Sequence, residues 1–406
     1  MTIRITPLHY EDEVLAELDM PKAKLRVLRG LGSGLARDPR DPARLWAVGD
    51  RGPNFKVKVG VERYGLDLDA HGTRKGAKIM PSLDIGPALV ALRLEGDRVT
   101  PERVLPLVGP DGRAASGLPI PGGSHAELEP AIGVDGADLG SDAAGADTEG
   151  VAISRDGRFW VGDEYGPSLL RVDADGRVFE RWVPEGTAKC FQGSGVEIVE
   201  ALPAIAAHRR LNRGFEAIVL TEDGKQLHLM FQGPLAHPDE DAFERARHVR
   251  LMTLDLEARR VVAQHLYPMD DCASFRRDVA KGDFAQEDVK VSEVTRLPDG
   301  ALLVLERGSE TTKFYRIDPR GAEAVADEHL KEGTRPTLEE LSARGLEGLP
   351  VLDKQLVLST DDHPEVGADM EGMTVLPDGS LILVNDNDFG CEGAETRFWR
   401  VEGLGF

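Results

Sequence analysis

One phrase recurs along this chain in degraded copies, and a recurring unit limits the fold more than any local signal does. Its fullest form is Asp147-Thr-Glu-Gly-Val-Ala-Ile-Ser-Arg-Asp-Gly157, continued by Phe159-Trp-Val-Gly-Asp-Glu-Tyr-Gly-Pro167. Further copies start at Glu216, at Ser292 and at Glu371, and a looser one joins Ser33-Gly-Leu-Ala to Leu45-Trp-Ala-Val-Gly-Asp-Arg-Gly-Pro53. Each copy reads as a short apolar strand, a turn at an Asp-Gly pair (Asp156-Gly157, Asp223-Gly224, Asp299-Gly300, Asp378-Gly379) and a second apolar strand. The pairs predict tight hairpins with positive φ angles.

Third and fourth strands follow most copies, as in Ser168 to Asp173 with Arg177 to Val183, and Val249 to Asp255 with Arg260 to Leu266. Four antiparallel strands per unit, repeated around a ring, predict an all-β chain folded as a β-propeller. Five blades are countable, and a sixth would have to come from the N-terminus or from residues 55 to 146. The last copy shows only a third strand, Arg397 to Glu402, so an N-terminal strand is expected to close the ring, with Lys24 to Leu28 as the candidate. One domain over residues 1–406 is expected, with insertions near 109–146, 271–290 and 330–347. The first insertion is rich in Gly, Pro, Ala and Asp and reads as a long loop able to lie over one face. The second is expected to hold a short helix, and the third, with capping chemistry at its start, a peripheral one.

The register of the copies carries the functional expectation. Seven residues separate Glu149 from Asp156, Glu216 from Asp223, Ser292 from Asp299 and Glu371 from Asp378; fourteen separate Glu149 from Asp163, Ser292 from Glu306 and Glu371 from Asn385. In a propeller the innermost strand leaves one face and the second strand returns to it. Glu149, Glu216, Glu371, Asp163, Glu164, Glu306, Asp386 and Asp50 are therefore expected at one mouth of a central channel, with Arg51 and Arg307 among them. So many carboxylates in a small space repel one another unless protons or cations compensate, and a hard cation is the simplest compensation. The alternative is that Glu149, Glu216 and Glu371 cap backbone N–H groups of neighbouring inner strands.

Composition narrows the partners. A net charge of −22 over 406 residues argues against nucleic acid and anionic membrane surfaces. Three scattered cysteines suggest neither a disulfide framework nor a zinc knuckle. No apolar run reaches the length of a membrane span, and the N-terminal residues lack a signal-peptide core. The chain as written is expected to be cytoplasmic, or exported had a leader been removed, and monomeric. The histidines show no paired spacing suited to zinc, and His125 and His363 are expected on surface loops.

The Asp147-Thr-Glu-Gly…Gly-Asp-Glu-Tyr-Gly-Pro167 segment, Gly214-Phe-Glu-Ala with Gln232-Gly-Pro-Leu, Leu305-Glu-Arg-Gly, and Met370-Glu-Gly…Asn385-Asp-Asn-Asp-Phe resemble, in order, the phytase-like propeller family, described as "esterase-like activity of phytase". The family is similar to the β-propeller phytases, which are six-bladed, calcium-dependent phosphomonoesterases. The resemblance implies Ca²⁺, ahead of Mg²⁺, at a mouth whose carboxylates also receive substrate phosphate. Glu149, Asp163, Glu216, Glu371, Asn385 and Asp386 are the candidate ligands, since calcium prefers six to eight oxygen donors. Arg51 and Arg307, with Lys313, are expected to neutralise a phosphoryl group, and Glu164 or Glu306 to act as general base. Asp50, Lys313 and Tyr165 are the expected substrate contacts. The alternatives are a lactonase or esterase of the gluconolactonase–paraoxonase kind, or a non-catalytic ligand-binding propeller with structural calcium.

Overall fold

The computed structural model describes residues 2–68, 71, 74–122, 128–346 and 348–406. Expectations for His125 fall outside the described residues. The chain is mostly β and propeller-like, with each recurring unit folded as its own sheet. The first sheet comprises Gly34–Arg37, Arg44–Val48, Ala88–Glu95 and Arg98–Pro106. The second comprises Thr148–Ile153, Phe159–Asp163, Ser168–Val172 and Val178–Pro184, with Glu197–Leu202 added in parallel at its edge. The third is Phe215–Leu220, Gln226–Phe231, His248–Asp255 and Arg260–Pro268. Lys290–Arg296, Leu302–Arg307, Thr312–Ile317 and Lys354–Ser359 form the fourth. The fifth is Met370–Val375, Leu381–Asn385, Phe398–Glu402 and, from the other end of the chain, Arg4–Leu8.

The first strands of these five sheets pack side by side in cyclic order, the fifth returning to the first. Apolar side chains fill every junction between neighbouring sheets, because strands buried on both faces expose two apolar surfaces rather than one. Trp46 and Val48 meet Phe159 and Val161 between the first and second, with the Trp46 and Phe159 rings 4.7 Å apart. One large cluster spans the second, third and fourth sheets, and two others join the fourth to the fifth and the fifth to the first. The inner strands approach so closely that a Cβ on Gly150 would lie 2.1 Å from the Glu216 carbonyl oxygen.

The closing strand differs from the candidate. Arg4–Leu8 pairs antiparallel with Phe398–Glu402, while Lys24–Leu28 forms a hairpin with Val14–Asp19. Both stretches alternate apolar and polar residues, but Leu25 and Val27 are buried in a separate cluster with Phe55, Tyr64, Ile79 and Phe389. That cluster belongs to a cap at the face where the inner strands start. It includes a small sheet of Phe55–Lys56, Lys78–Ile79 and Ala131–Ile132. Residues 55 to 146 thus supply this cap and the outer strands of the first sheet. Helices lie at Arg276–Lys281 and Leu338–Ala343, the latter capped by Thr337 and Glu340.

The turns also differ in detail from tight two-residue hairpins. Positive φ occurs at Gly157, Gly224, Gly300 and Gly379 but not at the preceding aspartates. Each aspartate carboxylate instead accepts a hydrogen bond from the backbone N–H two residues on, at Arg158, Lys225, Ala301 and Ser380. Asp was selected here for its side-chain acceptor and Gly for its conformation.

Candidate functional site at the acidic mouth

A register shift opens the innermost strand of four sheets, between Thr148 and Val151, Phe215 and Ala217, Val291 and Glu293, and Met370 and Gly372. Such bulges leave one residue unpaired and re-aim its side chain. The residues set free include Glu149, Glu216, Ser292 and Glu371, the positions that the repeat aligns. A cavity of about 290 Å³ lies at this end of the channel. Asp50, Arg51, Glu149, Glu216, Arg307, Glu371 and Asp386 line it, gathered from all five sheets or the loops that leave them.

Two carboxylate triads stand out. Oxygens of Asp50, Asp147 and Glu149 lie within 4.8 Å of one another, as do those of Glu149, Glu164 and Glu216. Glu149, shared by both, makes no hydrogen bond among the described residues, and the buried Oε2 of Glu216 has no partner. Its other oxygen accepts from the Gln232 amide. Burial, and then the charge of Glu216, push the Glu149 carboxyl well above the usual range. Burial followed by Glu164 does the same to Glu216. An orphaned buried acceptor is costly. A donor set made of carboxylates from separate strands, with one oxygen unpartnered, fits a hard divalent cation such as calcium.

Arg51 is embedded in the first triad. Its Nε lies 3.0 Å from Asp50, its guanidinium pairs with Glu129 and Asp147, and its plane rests over the Tyr165 ring with 4.9 Å to the centroid. For Asp50, burial opposes the charge, yet the Arg51 guanidinium overrides it and holds the carboxyl low. Asp147 is shifted the other way, above its usual range, chiefly by burial. Arg307 pairs with Glu371 and donates from Nε to Ser292 Oγ at 2.9 Å. Asp386 accepts from Ser33 Oγ at 3.0 Å.

Five of the residues expected at the mouth are placed elsewhere. Asp163 points into its own sheet, accepting from Ser168 Oγ and Arg181 at 2.7 Å each. The Tyr165 hydroxyl donates to the Gly117 carbonyl at 2.6 Å. Asn385 spends its amide on the carbonyls of Asp386 and Glu395 and its oxygen on Arg397 N–H. Glu306 accepts from Tyr267, the Asp270 N–H and Lys354, at 2.6, 2.7 and 2.9 Å. Lys313 is held by Asp270 at 2.7 Å and Ser274 at 2.6 Å. Successive strand residues face opposite sides of a sheet. When Arg307 turns to the mouth, Glu306 must turn away, and Asp163 and Glu164 divide in the same manner. His363 sits on its loop 3.4 Å from Glu365.

Several mouth residues were not singled out from sequence. Asp147 opens the fullest motif, two residues before Glu149, and joins it in the first triad. Lys56 and Lys78 come from the cap, Lys290 from the start of an inner strand, and all three line the cavity. Burial beside Arg307 and Arg213 holds the Lys290 ammonium down at about 7. Glu129 arrives on the 109–146 insertion to meet Arg51, but none of the insertion's described residues lines the cavity. The capping role anticipated for Glu149, Glu216 and Glu371 falls instead to Glu293, whose Oε2 accepts from Leu35 N–H across the channel at 2.9 Å. The signal was Ser292-Glu293 standing where other copies read Glu-Gly or Glu-Ala.

A family model described as "Phytase-like: Esterase-like activity of phytase" matches residues 27–389. The chain belongs to this family. A relative from Arthroderma benhamiae, named only as an uncharacterized secreted protein, is 26% identical over 287 residues, covering 65% of this chain and 54% of its own length. The chain spans about half the length of that relative. Among solved structures, similarity extends to a luciferin-regenerating enzyme at 11% identity over 98% of this chain and 96% of that one, with a TM-score of 0.38. A PQQ-bound aldose sugar dehydrogenase from Streptomyces coelicolor is similar at 11% identity over 99% and 98%, with a TM-score of 0.35. Among the described residues of this phytase-like chain, no helix is long and apolar enough to cross a membrane. The expectation of cytoplasmic residence gains no support from a relative named as secreted.

Proposed function

We propose that this chain is a calcium-dependent hydrolase of phosphoesters, acting at the acidic mouth of a five-bladed propeller. The observation that carries the reading is one cavity lined by both the unsatisfied carboxylates and the cations Lys56, Lys78, Lys290 and Arg307. Carboxylates alone suit a metal, whereas a lactone needs no ring of ammonium groups. The mixed lining suits a metal and a phosphate together.

In this reading Glu149, Glu216, Asp50 and Asp147 hold the ion, with Glu371 and Asp386 facing them. Bound calcium would neutralise these carboxylates and polarise the phosphoryl oxygens. Lys78 and Lys290, which form no ion pair among the described residues, would contact the phosphate directly and offset charge gained in the transition state. Arg51 and Arg307 are already paired with carboxylates and serve to keep the acidic groups together. Glu164 accepts the Gly214 N–H at 3.2 Å and offers an oxygen to the triad with Glu149 and Glu216. That places it to orient a water and accept its proton. The substrate would be a small phosphorylated molecule, the protein a monomer, and the relative's description favours an exported form.

The test is a screen of phosphomonoesters, phosphodiesters and lactones with protein stripped by EDTA and then supplied with calcium. Calcium-restored phosphoester turnover is the expected result. Turnover of lactones alone would replace the reading with a lactonase, and folded protein inert toward all three classes would remove catalysis from the account.

A further inference from the structure

Gln232-Gly-Pro-Leu235 follows the second strand of the third sheet, and its first residue reaches the acidic mouth. The backbone of Gln232 is fixed on both sides. Its N–H donates to the Gly214 carbonyl at 3.0 Å, and the Val291 N–H donates to its own carbonyl at 2.8 Å. The residue is thereby tied to the inner strand of the fourth sheet and to the segment that opens the inner strand of the third.

Both ends of the buried Gln232 amide are in use as well. Nε2 donates to Glu216 Oε1, and Oε1 accepts from Arg213 Nη1 at 2.7 Å. A guanidinium carries only donors, so the amide oxygen faces Arg213 and the NH₂ group is left facing the carboxylate. The flipped amide would set donor against donor at one end and oxygen against oxygen at the other. Arg213 is held in turn, since Nη1 also donates to the Asn212 carbonyl at 2.9 Å and Nη2 to the Glu287 carbonyl at 3.3 Å. A chain of donors therefore runs from a clamped arginine through Gln232 to one oxygen of Glu216. The other oxygen, Oε2, is buried without a partner.

We propose that Gln232, oriented by Arg213, is a positioning residue for the cation at the mouth. By occupying Glu216 Oε1 it stops the carboxylate from turning, and it leaves Oε2 for the ion shared with Glu149 and Glu164. The role rests on the calcium reading of the mouth. Groups that orient a metal ligand contribute to affinity although they never touch the metal.

Isothermal titration of calcium into the full chain, first stripped of metal, reads this role without recourse to turnover. Gln232→Met keeps the length of the side chain and loses both bonds, and calcium affinity should fall about tenfold, the lower end of losses for such neighbours. The same change made in Glu216→Gln should add less than about a twofold loss, because a residue that acts through Glu216 has nothing left to orient. A packing role would weaken both backgrounds alike. Where binding is weak, the calcium-dependent rise in melting temperature serves as the measure. Gln232→Asn keeps the amide but falls one methylene short, so it should lose affinity in the same direction and tests the proposal even if Gln232→Met fails to fold. Unchanged affinity in the folded Gln232 variants, or equal losses with and without Glu216, would overturn the positioning role and leave the calcium site standing. A native protein that binds no calcium would remove the site and this role together, before any variant is compared.

Discussion

Two buried clusters of charge are made from the same kinds of residue, one where the third and fourth sheets meet and the other at the channel mouth. Around Glu306, two carboxylates (with Asp270) meet two ammonium groups (Lys313 and Lys354), and tyrosine hydroxyls and a backbone N–H complete the set. Around Glu149, the carboxylates outnumber their partners, and one buried oxygen of Glu216 is left over. The first cluster is closed: every charge is answered by the chain itself, which is how buried ion pairs become tolerable. The second is open. Frustration of this sort is expected where a ligand completes the structure, and perturbed carboxyls in a cleft carry the same meaning. Counting acidic residues does not separate the two clusters; counting unanswered ones does.

The largest effect should come from opening the closed cluster. Lys354→Met leaves Glu306 and Asp270 short of a cation in a buried setting, and removal of one partner from such a network costs about 3–5 kcal/mol. Chemical denaturation should show that loss, while the calcium response of the folded protein stays intact. A variant that lost calcium dependence as well would erase the distinction between the clusters.

Closing the open cluster should do the reverse. Glu149→Gln and Glu216→Gln each put a neutral amide in place of a carboxyl that the fold crowds with others, so the calcium-free protein should hold its stability or gain slightly. Calcium affinity and calcium-dependent turnover should fall about 100-fold or more, the upper end of losses seen when even the neighbours of metal ligands are changed. Isothermal titration and initial rates measure both. Unaltered calcium binding in the two variants would return these glutamates to a structural role.

Sequence reasoning reached this contrast only in part, and the reason is geometric. The seven- and fourteen-residue spacings located the mouth, because strand length and turn chemistry repeat together in Asp156-Gly157, Asp223-Gly224 and Asp378-Gly379. Those spacings say which end of a strand a residue occupies, not which side of it. Glu306 and Arg307 share an end but face opposite clusters, as do Asp163 and Glu164. Side depends on bulges at the preceding strand, and a bulge has no sequence signature beyond the glycine or alanine after the glutamate. Lys56, Lys78 and Glu129 were hidden for another reason. They enter from a cap without periodicity, and only the folded chain brings them to the ring. The closing strand was ambiguous because Arg4–Leu8 and Lys24–Leu28 alternate alike, and partner surfaces decided between them.

A smaller effect sharpens the comparison through protons. Glu149 and Glu216 have carboxyls raised above the ordinary value of 4.5, by burial first and by neighbouring carboxylates second. In the calcium-free fold these groups keep protons that the unfolded chain releases. The stability they contribute is therefore complete below 4.5 and is lost as pH rises through their folded values. Calcium would require the carboxylate form, so its binding would expel those protons and strengthen as pH rises. Lys290, held at about 7, begins to lose its own proton at the neutral end of this window, so the trend is read on the acid side of it. The increase in stability on adding calcium should grow from mildly acid conditions toward neutrality, by up to about 1.4 kcal/mol per pH unit for each proton displaced. Paired thermal melts with EDTA and with calcium read that increment directly, and histidines elsewhere cancel between the pair. Because Gln carries no titrating proton, the same melts on Glu149→Gln should show a flatter dependence. An increment independent of pH in the unaltered protein would mean that calcium displaces no proton here, and the open cluster would then need another explanation.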